Sequence, residues 1–420
     1  MRRKLLPFSF AILTLSANSA AQQVYNLNDC IKIGLEQNFS LLIAKNSEAI
    51  AKNNYTVGNA GYLPSLDLSG RHSGILNDIE RNFKDGSEVR SADELNTTSS
   101  VGMSMNIMIF NGFNVRTTYK KLNELKQLGE LNTQLAIENM VSNIIAGYYN
   151  YIEQLMLLKN LQYAVVLSKE RLRIDEDRYL LGSSSKLQVL QSRVYLNADS
   201  SRLSRQYEVV RAAQIQLNEL MAVKDLSQTF TTTDTAITVN PELLFEKLFE
   251  ETLVRNTRLL IADRNKTISK YDHKIIESRR YPYLSASSGY NRALNTFSSG
   301  DLERNYTNGM NYGLSFGINI FDGLNQRRNI RNSSIQIENK ELEYREIEQG
   351  IKADLLTLYS AYSNFLRLIT LEDQNLQTAT ENLEIAMERY KLGSLSGIDL
   401  REVQKSLLDA RESLLSVQYQ

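Results

Sequence analysis

The stretch VGMSMNIMIFNG, residues 101–112, carries the clearest structural signal of the chain. From Val101 to Ile109, apolar residues alternate with Gly, Ser, Asn and one further Met. A period of two places the apolar side chains on one face of a β-strand. A run of about 9 to 10 residues also has the length of a strand that crosses a membrane. Residues 314–323, LSFGINIFDG, repeat both the alternation and the ending. The two stretches therefore predict amphipathic strands.

Each of these strands is preceded by a weaker strand pattern rich in Ser, Gly and Tyr. The pairs predict two hairpins, at residues 65–110 and 283–321, each with a long polar loop, at residues 75–96 and 292–311. The side chains between the apolar ones are mainly Gly, Ser and Asn, which suit contact with water. Taken alone, one such strand would favour a soluble hairpin with one face in water over a membrane strand.

Aromatic residues flank both hairpins, as they do where membrane-spanning segments meet lipid headgroups. The candidates for such an interface are Tyr62, Phe110, Phe113, Tyr281, Tyr283 and Phe321. No stretch of about 20 apolar residues follows the first residues of the chain, so a membrane interpretation depends on the strands. The smallest membrane barrels have about eight strands, so four strands per chain would require several copies.

The two hairpins belong to an internal repeat. LLIA at residues 41–44 recurs at residues 259–262, and the strand ending FNG at 110–112 is matched by FDG at 321–323. Further matches follow in the same order up to the paired Gly182 and Gly393. Such ordered matches predict a duplication. The end of the first copy, Arg211–Met221, has no counterpart before Gln420.

The first 21 residues predict a signal peptide. Arg2, Arg3 and Lys4 precede a mostly apolar stretch that ends in small residues, which is typical of an exported protein. Together with the repeat, this divides the chain into four predicted parts. They are a signal peptide at 1–21, repeat 1 at 22–221, a linker or equatorial segment at 222–240, and repeat 2 at 241–420.

Each hairpin is followed by a very long helical segment. Residues 114–179 and 325–390 contain no Pro and only two and one Gly, respectively, with apolar residues every three or four positions. An unbroken helix of this length would extend about 100 Å. Such a helix must bury its apolar side against other helices. Glycine turns follow, before returning helices at residues 186–221 and from Ile398 onward.

Composition argues against several functional classes. The chain has 48 basic and 48 acidic residues and a formal net charge of zero, so nothing points to nucleic acid. The single cysteine, Cys30, cannot form an internal disulfide, and two histidines are too few for a histidine-based metal centre. The sequence has no Ser-His-Asp set, P-loop or cysteine cluster. We therefore expect no enzyme activity, metal or cofactor.

The order of these parts resembles the outer-membrane efflux protein family, the TolC-like channel tunnels. The resemblance is carried by GYLPS at 61–65, by the strand endings at 110–112 and 321–323, and by Arg-Tyr-x-x-Gly at 178–182 and 389–393. It implies a mixed α/β membrane protein that forms a homotrimer. Four strands from each copy would join in a trimeric 12-stranded β-barrel in the cell outer membrane. The long helices would form a coiled-coil barrel in the periplasm.

The resemblance also implies a function and partners. The chain would be the outer-membrane channel subunit of a tripartite efflux or type I secretion system, a passive export conduit for small molecules. Its partners would be outer-membrane lipid, a periplasmic adaptor (membrane fusion) protein and, through the adaptor, an inner-membrane transporter. The turns that would meet the adaptor contain Arg178, Tyr179, Gly182, Ser183, Arg389, Tyr390, Gly393 and Ser394. The alternative is a periplasmic coiled-coil scaffold without a channel.

Two acidic residues follow the second turn. Asp399 and Glu402 are three positions apart, so they share one face of a helix. In a trimer they would provide six carboxylates around one axis, which would attract cations and repel anions. The resemblance implies that this ring lines the periplasmic gate, although Glu402 stands where aspartate is usual. The first turn has Lys186 instead. Alternatively, the pair is simply favoured by the dipole of the helix N-terminus.

Overall fold

The computed structural model of the chain describes residues 23–234 and 236–420. The predicted signal peptide, residues 1–21, lies outside the described residues and stays a prediction. The elements follow one another as β1 (Gln23–Tyr25), α1 (Leu27–Gln37), α2 (Phe39–Asn54), α3 (Val57–Ala60), β2 (Ser65–Asn82), β3 (Glu88–Asn111), α4 (Asn114–Leu180), α5 (Lys186–Met221), β4 (Phe230–Thr232), α6 (Phe245–Arg255), α7 (Thr257–Ser278), β5 (Tyr283–Thr296), β6 (Arg304–Gly317), α8 (Asn325–Lys391) and α9 (Gly397–Tyr419).

The chain divides into two compact units, and each draws on both halves of the sequence. Unit 1 contains the described residues up to Asn38, Met140–Pro241 and Tyr362–Gln420. Unit 2 contains Phe39–Asn139 and Glu242–Ala361. These boundaries cut across the predicted repeats at 22–221 and 241–420. The repeat division therefore stays a prediction from the sequence.

Unit 2 contains one antiparallel sheet with the strand order β2-β3-β5-β6. Its strands are longer than the sequence pattern indicates. β2 and β3 have 18 and 24 residues and pair from Ser65–Asn106 to Asn82–Glu88, so most of the predicted loop at 75–96 is strand. Backbone hydrogen bonds can form a ladder whatever the polarity of the side chains. A strand whose two faces both contact water carries polar residues on both, so its sequence shows no alternation of apolar and polar residues.

The second hairpin needs a similar correction. β5 and β6 pair from Tyr283–Gly317 to Thr296–Arg304, so the connecting loop is much shorter than the predicted 292–311. The last strand ends at Gly317 rather than at the predicted Phe321. A Cβ at Gly317 would lie 2.6 Å from the Tyr283 hydroxyl oxygen, so a larger residue there would require the Tyr283 ring to shift.

The long helices are confirmed almost to the residue. α4 and α8 each have 67 residues, one more at the C-terminal end than the predicted segments. α5 has the predicted bounds, and its N-cap Ser185 accepts a hydrogen bond from the amide of Gln188 at 3.4 Å. No helix within the described residues is long and apolar enough to cross a membrane.

The core of unit 1 lies where α4 packs against α8 and α9. Its buried members include Leu167, Ile174, Leu383, Ala386, Leu400 and Leu407. The predicted linker at 222–240 is also packed rather than free. Within it, β4 pairs in parallel with β1, and Phe230 is 1% exposed with its ring 5.1 Å from that of Tyr151. Aromatic burial therefore fixes this segment to unit 1.

Candidate functional site

The two Arg-Tyr-x-x-Gly segments fold into the same helix-ending turn in unit 1. In the first turn, the amide of Ser183 donates to the carbonyl of Arg178 at 2.9 Å. The amide of Gly182 donates to the carbonyl of Tyr179 at 3.0 Å. The second turn repeats both hydrogen bonds at the same distances, between residues at the same places in its motif. This pair of bonds satisfies carbonyls that the end of a helix leaves unpaired.

Gly182 and Gly393 have the backbone conformation that these turns require. Their φ angles are +73° and +80°. Left-handed backbone costs an L-residue roughly 1–2 kcal/mol, because its Cβ meets the following carbonyl oxygen. The sequence interpretation of both residues as turn glycines is thus confirmed.

A pair of glycine substitutions in α8 and its turn tests this geometry. Gly393→Ala is expected to lower the free energy of local unfolding of its turn by about 1 kcal/mol. Gly350→Ala is the matched control, because nothing lies within 4 Å of a Cβ added there. That substitution is expected to stabilise the helix interior by roughly 0.5–1 kcal/mol. Amide hydrogen exchange of the two segments should shift in opposite directions, and faster exchange in both variants would contradict the argument.

The two motif arginines have different contacts. Arg178 donates a hydrogen bond to the carbonyl of Tyr390, and its guanidinium lies 4.9 Å from the centre of the Tyr390 ring. Arg389 donates to the carbonyl of Ser394 within its own turn at 3.5 Å. Arg178 therefore joins the end of α4 to the end of α8.

The two motif tyrosines also differ. Tyr179 is 45% exposed, whereas Tyr390 is 2% exposed. The Tyr390 hydroxyl donates to a carboxylate oxygen of Asp175. Burial, and next the hydrogen bond to Asp175, raise the pKa of Tyr390 to about 12. The hydroxyl thus stays protonated at neutral pH and remains a donor. Because Tyr390 is buried, its side chain holds helices together instead of facing a partner.

A buried polar cluster, which the sequence analysis missed, surrounds Tyr390. Asp175 accepts a second hydrogen bond from Ser192 on α5, and the guanidinium of Arg171 lies 4.0 Å from its carboxylate. Arg171 and Asp175 are 3% and 2% exposed. The signal was present in the sequence, because an acid and a base four residues apart interrupt the apolar stripe of α4 near Ile174.

A second buried pair joins α5 to α9. Asp199, which is 1% exposed, accepts two hydrogen bonds from Arg401 at 2.7 and 2.8 Å and a third from Ser168. The hydrogen bonds to Asp199 raise the pKa of Arg401 above its ordinary value. The centre of the Tyr195 ring lies 5.1 Å from the guanidinium of Arg401 and 4.8 Å from that of Arg171. These contacts connect the two pairs into one cluster.

The acidic pair begins α9. Ser396 caps the helix, accepting from the amide of Asp399 at 3.1 Å and donating to its carboxylate at 2.8 Å. Asp399 and Glu402 are both exposed, whereas Leu400 is fully buried. Among the described residues, neither carboxylate has a basic side chain within ion-pair distance. The pair therefore lies on the solvent face of α9, and its role in a gate stays a prediction.

The sheet of unit 2 has two chemically distinct faces. One face consists mainly of Ser, Gly, Asn and Thr, and one of its cross-strand rows is Asp67, Ser104, Gly289 and Asn311. The opposite face carries large apolar side chains, with the neighbouring row Leu68, Met103, Tyr290 and Met310. The side chains of that row are 47% to 74% exposed. The chain alone thus leaves a broad apolar surface uncovered.

The six predicted interface aromatics all lie in unit 2, at the ends of strands that join helices. Phe110 and Phe113 form an edge-to-face pair 5.3 Å apart, and Tyr62 packs edge-on against Tyr119 at 6.0 Å. Tyr281 and Phe321 are 55% and 76% exposed. Tyr283 begins β5. Contact of these residues with a membrane interface stays a prediction.

The described residues contain no group of three or more His, Cys, Asp or Glu side chains that could hold a metal ion.

Two 67-residue helices, matching glycine turns and one two-faced antiparallel sheet define a class of mixed α/β proteins whose long helices carry an amphipathic sheet. The model of a family described as "Outer membrane efflux protein" matches residues 31–223 and 248–420. The chain belongs to this family, and the resemblance inferred from its motifs is confirmed. Members of this family are efflux channels and not enzymes.

The comparisons also identify individual relatives. Outer membrane protein TolC of Vibrio cholerae is 23% identical over 220 residues, which cover 52% of this chain and 48% of that protein. The chain thus spans about half the length of the curated relative it matches. The structure of outer membrane protein VceC of Vibrio cholerae has a TM-score of 0.72 at 15% identity, covering 94% of this chain and 92% of that one. The CmeC outer membrane channel of Campylobacter jejuni has a TM-score of 0.71 at 16% identity, covering 100% and 91%. These structures share the fold, and family membership supports an outer-membrane location.

Proposed function

We propose that three copies of this chain form a passive export channel in the outer membrane, with the helical portion in the periplasm. The channel would be the outer component of a tripartite efflux or type I secretion system for small molecules. The observation that carries this proposal is the two-faced sheet. Its row Leu68, Met103, Tyr290 and Met310 suits lipid tails, and the Ser, Gly and Asn face suits a water-filled lumen.

The edges of the sheet support a trimer. β2 and β6 are its outer strands, and among the described residues each is paired on one side only. Every backbone group left unpaired in lipid costs several kcal/mol, so an open edge cannot remain in a membrane. Edge pairing between three copies would close a barrel of about 12 strands, well above the minimum of about eight.

The helix-ending turns supply a surface for a periplasmic adaptor, which would link the channel to an inner-membrane transporter. Leu181 and Leu392 are each 82% exposed in these turns, although leucine is usually buried. We propose that they contact the adaptor together with the exposed motif residues. Tyr390 is left out of this set because it is buried, whereas Tyr179 remains in it.

Two neighbouring substitutions on β3 test membrane insertion. Met103→Arg puts a charge on the apolar face, where a residue at the membrane midplane would cost about 2–4 kcal/mol per copy. Ser104→Arg is the matched control, because alternation places residue 104 on the polar face. The first variant should largely disappear from the wash-resistant membrane fraction, whereas the second should remain there. Equal recovery of both variants would contradict lipid contact, and full recovery of the unmodified protein as a soluble periplasmic protein would favour the scaffold alternative.

A further inference from the structure

Arg292 and His72 interrupt the apolar face of the sheet at one level. Two successive cross-strand rows lie there, Gly70, Val101, Arg292 and Asn308, followed by His72, Ser99, Leu294 and Tyr306. On the side nearer to the helix junctions, the rows of this face are apolar apart from Ser288. The last of these rows contains Phe110, Leu284 and Phe316. A break in such a face from Leu and Met to Arg and His marks a change in its surroundings.

The position of this break along the strands matches the expected boundary between the hydrocarbon core of a membrane and its headgroups. Arg292 follows Leu284 by eight residues on β5, which is about 26 Å along a strand at roughly 3.3 Å per residue. Strands of membrane barrels tilt by about 35–45°, so the apolar part would be roughly 20 Å tall, close to the usual band of about 25 Å. This step rests on the proposed function. In the proposed barrel, Arg292 and His72 lie at the level of the lipid headgroups, at the end of the apolar band opposite Phe110.

The surface at this level is concave. A cavity of about 480 Å³ is lined by His72, Val101, Arg292, Leu294 and Tyr306, among others. Gly70 borders it directly opposite Val101, and its missing side chain leaves room between the strands. The cavity therefore combines an apolar floor with hydrogen-bond donors at its rim.

The charge of Arg292 in this cavity has no counterpart in the part of the chain that the structure describes. Among the described residues, no acidic side chain lies within ion-pair distance of Arg292. The His72 ring is held by a hydrogen bond between Nδ1 and the Ser99 hydroxyl at 2.8 Å. An unpaired guanidinium on a lipid-facing surface is unfavourable, and a phosphate can accept two parallel hydrogen bonds from it.

We propose that this cavity binds the phosphate headgroup of an anionic lipid, with Arg292 as its main ligand and His72 and Tyr306 as further donors. The acyl chains would lie along the apolar rows toward Phe110. The structure favours a lipid over free phosphate because the charged rim and the apolar face are continuous. Arg71 also borders the cavity, but alternation places its side chain on the polar face, where it pairs with Ser100.

Lipid titration of the purified full-length protein, followed by native mass spectrometry, tests the proposal. The probes are dioleoyl phosphatidic acid and dioleoyl phosphatidylcholine, whose acyl chains are identical. Phosphatidic acid should bind at least tenfold more tightly. Arg292→Gln should remove this preference, and Arg292→Lys should restore part of it. Arg71→Gln, the matched control, should change the affinity less than twofold.

Four outcomes would overturn the proposal. Equal weakening by Arg71→Gln and Arg292→Gln would indicate general electrostatic attraction. Competition by millimolar inorganic phosphate would indicate a plain anion site instead of a lipid site. An absent preference for phosphatidic acid, in protein that fractionates with the membrane, would refute this inference and leave the channel intact. If the unmodified protein is missing from the membrane fraction, the proposed function fails and this inference fails with it.

Discussion

Replacing Arg401 with methionine is expected to loosen the helices next to the turns strongly. Asp199 is 1% exposed and receives two hydrogen bonds from Arg401, so the variant would leave a buried carboxylate without its cation. Breaking a buried pair in this way costs about 3–5 kcal/mol. A loss of about 3 kcal/mol corresponds to roughly a 100-fold fall in protection against amide exchange. Hydrogen-exchange mass spectrometry of α5 and α9 would measure this fall in protection.

Arg193 lies on α5, the helix that contains Asp199, and provides the control. Its ion pair with Glu176 has a similar distance of 2.9 Å, but the two side chains are 57% and 44% exposed. Exposed pairs contribute about 0–1 kcal/mol, so Arg193→Met should change exchange less than tenfold. Combining Asp199→Leu with Arg401→Met should recover much of the protection, because the buried charge is then also removed. Similar protection in the two single variants would contradict a structural role for the buried pair.

Removing both exposed acids at the start of α9 is expected to change ion permeation through the proposed channel. With Asp399→Ala and Glu402→Ala together, a trimer would lose six carboxylates from one constriction. Cation preference in single-channel recordings should fall sharply, and block by multivalent cations should become at least tenfold weaker. Planar bilayers with asymmetric salt would give the selectivity from the reversal potential.

Glu381 and Glu384 on α8 offer a matched pair for this test. They have the same spacing of three residues and are also exposed. Their double alanine variant removes the same charge away from the predicted gate, so its selectivity and block should stay near those of the unmodified protein. If both double variants behave alike, the carboxylates at 399 and 402 act only through total charge or as helix-start residues.

The strands show where sequence reasoning succeeds and where it stops. The alternation at 101–107 predicted the faces of β3 correctly, because side chains of a strand point to opposite sides in turn. A register shift between Met108 and Phe110 then interrupts it and places Phe110 on the apolar face. The same reasoning treated residues 75–96 as a loop, although Ile75 pairs with Asn96 and the ladder extends, with one register shift after Asn77, to Asn82–Glu88. Polar side chains on both faces leave no periodic pattern. In that region only the pairing partner decides that the backbone forms a strand.

The turns show the same division. The sequence by itself determined α4, α8 and the glycine turns after them, because helix length and positive φ depend on local backbone preferences. Two copies of one motif therefore gave two turns with the same hydrogen bonds. Only the tertiary structure decided that Tyr390 is buried while Tyr179 is exposed, and that Arg178 bridges the turns. Burial depends on which other helices pack against a residue, and the motif contains no information about Asp175 or Asp199.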